Sequence, residues 1–269
     1  MSSAGTLKKR HASEPRAQER VEEVEQSVPP TPGAADAGVL DAGILDAGVD
    51  AQADLVERVA PTPVKHAGGR EIEGYLLANE FLRPYVERRL QHGVRVEGHI
   101  HEHEPAQFHE RYMQYMTHRI NGATGKYYTK EEARAKEHKT NAFRDESEIH
   151  VHKYRGDFTT TIHESIHLYS SENFTDHVPS PAVEGVTEFF AMMVCEQQGL
   201  PRGGVYGKQL ASVQKLVALV SQKTLAEAYF NGQVEALRKA VDDAKGPGTF
   251  QQWLLLMKKR EYKDADKVL

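Results

Sequence analysis

One segment of the sequence carries residue types at a spacing that could do chemistry: TTTIHESIHLYS, residues 159–170. His163 and His167 stand four positions apart. On an α-helix such residues lie one above the other on one face. Their imidazoles can then share a divalent ion, with Zn–N bonds of about 2.0–2.1 Å. Glu164 follows the first histidine and sits beside that face, where a carboxylate can hold a water and take its proton. Ile162, Ile166 and Tyr169 fall on a separate stripe. The segment predicts a helix with a wet, metal-binding face and a dry face turned to a core.

A catalytic zinc takes three protein ligands and keeps one position open. The third ligand is expected from PAVEGVTEFFAMMVCEQQG, which begins 14 residues beyond His167. Ser180 is expected to cap this helix, with Pro181 at its first position. Glu184 and Glu188 again share one face, and Val183, Val186, Phe190 and Met193 mark an apolar face beside it. Glu184 is the expected ligand. Glu188, one turn later, is placed to accept a hydrogen bond from the free N–H of a ligand imidazole, that of His163, which fixes the tautomer and raises ligand basicity. Glu188 and the more distant His177 are the alternative ligands. Tyr206, in LPRGGVYGKQ, is the candidate donor to a tetrahedral oxyanion.

HESIH followed by VEGVTEFF resembles the gluzincin metallopeptidases, in which an HExxH helix and a downstream glutamate bind zinc. The resemblance covers about residues 140–200. It implies a zinc-dependent hydrolase of protein or peptide substrates, with Glu164 as general base. Asn141-Ala142-Phe143 ahead of the strand 148–152 is similar to the order in thermolysin-type enzymes, where an Asn-Ala pair and an edge strand hold the substrate backbone. By that resemblance Asn141 and Ala142 would bind substrate. The interval from His167 to Glu184 is shorter than in thermolysin-like enzymes, and Glu188 comes one residue later than their usual ligand. The HExxHxxGxxH branch does not fit, because Ser170 and Asn173 occupy its Gly and His positions. No aminopeptidase-type Gly-x-Met-Glu-Asn segment is present, which favours an endopeptidase.

The elements that must position these residues follow from periodicity. Apolar spacing predicts helices over 75–90, broken or kinked at Pro84, and over 105–118, with a charged helix at 129–139. Alternation predicts strands over 94–100 and 147–154, with a turn or hairpin at 121–128 between. In the second strand Ile149 and Val151 face one way and His150 and His152 the other; if that strand lines the cleft, these two histidines touch substrate. Thereafter helices are expected over 158–171, 181–198, 205–220, 223–230, 232–244 and 248–260, with Gly199 and Pro201 stopping the second. The fold class is α+β and zincin-like: a small mixed sheet with the active-site helix, then an all-helical C-terminal subdomain. The folded domain is expected over 67–269, divided into 67–172 and 173–269.

Residues 1–66 contain no Phe, Tyr or Trp and carry the repeat DAGVL-DAGIL-DAGVD from Asp36 to Asp50. Such composition supplies no core and predicts a disordered tail. Mean hydropathy of −0.60 argues for a soluble chain without a membrane span, and the basic start has no apolar run after it, so no secretory signal is expected. A cytoplasmic location is implied, or export by another route, with the tail serving a delivery machine and the protein acting as an effector. Net charge −5 disfavours nucleic acid as partner. Cys195, the single cysteine, lies in an apolar run and reads as buried and inert. His99, His101 and His103 alternate as an exposed strand face with no carboxylate placed beside them by spacing. The rival to an enzyme is a zinc-stabilised interaction domain or a His-rich metal-binding protein.

Overall fold

Pro84 breaks the first apolar stretch as its missing N–H and fixed φ require, leaving α1 (Gly69–Ala78) and α2 (Arg83–Gln91) with Pro84 in the first turn of α2. The chain continues through β1 (Ile100–His103), α3 (Pro105–Thr117), α4 (Lys130–Glu137), β2 (Ala142–Asp145), β3 (Glu148–His152) and α5 (Phe158–Tyr169). Helices α6 (Glu172–His177), α7 (Ser180–Gln197), α8 (Gly207–Val220), α9 (Gln222–Asn231), α10 (Val234–Lys245), α11 (Thr249–Lys259) and α12 (Tyr262–Val268) follow. This computed structural model describes residues 68–121, 124–201 and 206–269. The expected tail and its repeat lie outside the described residues.

The fold is mixed α+β and mostly helical, with a small three-stranded sheet. Its strand order is β1-β3-β2, with β1 parallel and β2 antiparallel to the central β3. Ile149 and Val151 are fully buried on the face toward α5. The opposite face is covered by α3 and α4, where Phe108, Tyr112, Met116, Ala133 and Phe143 form a small separate cluster. The main core runs from Ile72 in α1 through Ile162, Val186 and Trp253 to Ala265 in α12, so it crosses the expected 172/173 division without a gap. Among the described residues no helix is long and apolar enough to cross a membrane.

Several local expectations are corrected. The strand expected over 94–100 exists only from Ile100: the backbone N–H groups of Val96 and Glu97 are taken by the Glu73 carboxylate, at 2.5 and 3.0 Å, and Gly98 turns with φ +88°. Ser180 is the first residue of α7, not its cap. Pro179 stands at the cap, and no side chain caps that end. Strand β2 and the short helices α6 and α12 were not expected. Gly199 does stop α7, in the left-handed conformation with φ +64°.

Candidate metal centre and cleft

Helix α5 begins at Asp157, whose carboxylate accepts from the Thr160 N–H at 2.8 Å. Satisfying a free N–H at a helix start fixes where the helix begins, and so which residues face inward. Ile162, Ile166 and Tyr169 are fully buried against the core, and the His163 and His167 rings stand 4.9 Å apart between centroids on the adjoining face. Helix α7 packs against α5 and presents Glu184 to both. Its Oε2 lies 3.2 Å from His163 Nε2 and 3.3 Å from His167 Nε2. All three ligand atoms lie within 4.8 Å of one another.

These separations suit a small tetrahedral ion. Ligand atoms about 2.0–2.1 Å from a tetrahedral centre stand roughly 3.3 Å from each other. The donor set of two imidazoles and a carboxylate is also one that zinc takes. The hydrogen bonds behind the ligands orient them the same way. His163 Nδ1 is 2.9 Å from Glu188 Oε2, as the spacing predicted. Thr187, which spacing did not single out, holds the other ring: its hydroxyl donates to Val183 O at 2.9 Å and receives His167 Nδ1 at 3.2 Å and the Tyr229 hydroxyl at 2.7 Å. With its one proton spent on Val183, Thr187 accepts from both. With Nδ1 held by Thr187, His167 turns its Nε2 toward the Glu184 carboxylate.

Electrostatics agree. Burial alone would discharge His163, but its hydrogen bonds to Glu184 and Glu188 outweigh burial and push its pKa up to about 10. Burial likewise opposes the charge on Glu184, and the two imidazoles outweigh it, holding the carboxyl below the usual range. Glu164, one residue after His163, has its pKa raised by burial. Tyr206 stacks on His163 with centroids 5.0 Å apart and planes at 14°. Burial first, then the Glu184 and Glu164 charges, push its phenol far above the ordinary value, so it stays a donor.

Gly185 allows α7 to sit this close. A Cβ there would meet Gln209 O of α8 at 2.9 Å and Gln209 C at 3.0 Å. The glycine after Glu184 is a packing requirement.

Two cavities flank the centre, and Glu164 and Tyr206 line both. The smaller, about 120 Å³, reaches Asn141, Thr160, Ala191, Met192 and Cys195. The larger, about 590 Å³, reaches His167, Glu184, Tyr115 and Arg144. Strand β2 runs along both at the edge of the sheet. Asn141 O accepts from His152 N at 2.9 Å. By the alternation of an antiparallel ladder, Phe143 then bonds β3 while the backbone groups of Ala142 and Arg144 point to the open edge.

The structure thus brings together His163, His167, Glu184, Glu188, Glu164, Tyr206, Asn141 and Ala142. It does not bring His150 and His152 to the cleft. β3 is the central strand, and its histidines point to the α3 face, where both are buried. His150 stacks on Phe143 at 4.8 Å, and burial pushes its pKa down to about 4. His152 meets Phe108 edge-on at 5.1 Å. His177 bonds Asn173 O instead of joining the cluster. Cys195 is buried, and burial pushes its thiol up to about 12. Near the other edge of the sheet, Glu148 does supply a carboxylate to the histidine row: it pairs with His99 at 2.8 Å and with His101. Parallel pairing of β1 with β3 places it there, a register that local spacing does not reveal. No protein-family model, curated protein or solved structure matches this chain.

Proposed function

We propose that this protein is a zinc-dependent endopeptidase of the gluzincin type. His163, His167 and Glu184 would hold the ion, with Glu188 and Thr187 orienting the two imidazoles. The observation that carries the reading is the convergence of this three-donor cluster with the half-buried Glu164 at the junction of two cavities beside an open strand edge. A zinc ion bound there supplies a Lewis acid that polarises a peptide carbonyl and acidifies water.

The chain's own residues do the rest. The outward backbone groups of Ala142 and Arg144 pair with an extended polypeptide as an added strand, and the two cavities take side chains on either side of the scissile bond. Glu164, whose raised pKa makes it a better proton acceptor, takes a proton from the attacking water and returns it to the leaving amine. The Tyr206 hydroxyl donates to the oxyanion of the tetrahedral intermediate.

The test compares the full chain with Glu164→Gln and His163→Ala, reading metal content and cleavage of a peptide mixture. The native protein should hold one zinc and cleave internal bonds. Glu164→Gln should keep the zinc and lose about 10²–10⁴ in rate. Undiminished cleavage by Glu164→Gln, or unchanged zinc affinity in His163→Ala, would overturn the reading.

A further inference from the structure

The larger cavity has a wall that the chemistry above does not use. Arg119, Lys136 and Arg144 line it together with Tyr112, Tyr115 and Tyr128. Among the described residues, the contacts of the three cations go to rings and neutral oxygens. Arg119 Nη1 donates to the Tyr115 hydroxyl at 2.5 Å, and its guanidinium lies 4.8 Å from that ring. Lys136 Nζ lies 5.5 Å from the Tyr128 ring. Arg144 Nη1 donates to the backbone carbonyl of Glu146 at 2.8 Å. The carboxylates lining the same cavity are Glu164 and Glu184, and the proposed reaction assigns these to proton transfer and to the ion. Three positive groups thus line one cavity of a chain with net charge −5, and of the three Arg144 also feels the charge of Glu164.

We propose that this wall selects acidic polypeptides, drawing Asp and Glu side chains of the substrate against Arg119, Lys136 and Arg144. The inference rests on the peptidase reading for the direction of the bound chain. Strand β2 runs from the smaller cavity, which Asn141 lines, toward the larger, which Arg144 lines. A segment paired antiparallel to it enters the larger cavity with the residues on the amino side of the scissile bond. The acidic positions are those residues. The tyrosines give the aliphatic parts of the same side chains an apolar surface, and their rings keep the cations in place.

The experiment uses the full chain loaded with zinc and one cleaved peptide sequence in three versions, with Glu, Gln or Lys at the positions two and three residues before the scissile bond. The ratio of kcat/KM for Glu over Gln is taken within each protein, so that partial misfolding of a variant cancels. The native ratio should be about tenfold, shrink with added salt, and fall toward one in Arg119→Gln/Lys136→Gln/Arg144→Gln. Arg144→Glu should shift preference toward the Lys peptide. Equilibrium binding of the same peptides to Glu164→Gln protein, read by fluorescence anisotropy, should follow the same order without turnover. Equal cleavage of all three peptides, or a Glu preference that survives the variants, would overturn the proposal while leaving the peptidase reading intact. Ordered binding with no cleavage by the native protein would overturn the peptidase reading and keep acidic recognition.

Discussion

Loading the metal-free protein with a divalent ion should displace a proton from His163. With both nitrogens against carboxylates and a pKa pushed up to about 10, this imidazole is cationic at neutral pH. The ion needs the Nε2 lone pair, so one proton must leave for each ion bound. Below about pH 10 the ion competes with that proton, and each unit of pH changes apparent affinity by about tenfold, or 1.4 kcal/mol. An imidazole with an ordinary pKa near 6.5 would already be neutral at about pH 7.5, and affinity would then be flat up to about pH 9. Cobalt(II) is a suitable probe, since its visible absorption reports tetrahedral coordination while chelator competition sets the free ion. Calorimetry in buffers of different ionisation enthalpy counts the protons. The expected result is one ion per chain, about one proton released at pH 8, and affinity rising about tenfold per unit across that window. Glu188→Gln should weaken both effects by removing one of the two carboxylates that hold the proton. A flat pH profile with no proton release would refute the cationic His163 and the geometry it rests on.

Other outcomes follow from packing and tautomer control. Gly185→Ala places a Cβ 2.9 Å from the backbone of Gln209, which cannot rotate aside. Overpacking of this kind costs about 1–3 kcal/mol, more than the gain of up to about 1 kcal/mol in helix propensity; the midpoint of thermal unfolding should fall, and a rise would contradict the α7–α8 contact. Thr187→Val keeps the shape but leaves the His167 Nδ1–H and the Tyr229 hydroxyl without their acceptor. Metal affinity by chelator competition should drop about 10–100-fold, and an unchanged value would remove Thr187 from the orientation of His167.

The parts of the site legible in the sequence are those set within one helix. Four-residue spacing alone placed His163 over His167 and Glu184 over Glu188, and it put Ile162, Ile166 and Tyr169 on the buried stripe. Thr187 sits in the same segment, but its role needs Tyr229, 42 residues away, and nothing local announces that contact. The alternation of His150 and His152 was legible too. Which face they take, and whether it meets the cleft, depends on β3 being central. Strand order is settled by pairing across 49 residues, between His101 and His150. Strand β2 is not legible in the sequence because four residues, two of them charged, carry too short a pattern to distinguish from a loop. Helices α6 and α12, of six and seven residues, fall below the length at which apolar periodicity accumulates.

The brevity of β2 has a consequence for how the molecule behaves in crowded solution. A rim with only Ala142 and Arg144 turned outward offers at most about four hydrogen bonds to a visiting strand, and Asp145 and Glu146 stand exposed at its far end. Long, flat, apolar rims template fibrils and swapped dimers, whereas this one is too short and too charged to recruit a second copy for long. Any chain seated there must draw its residence time from side chains.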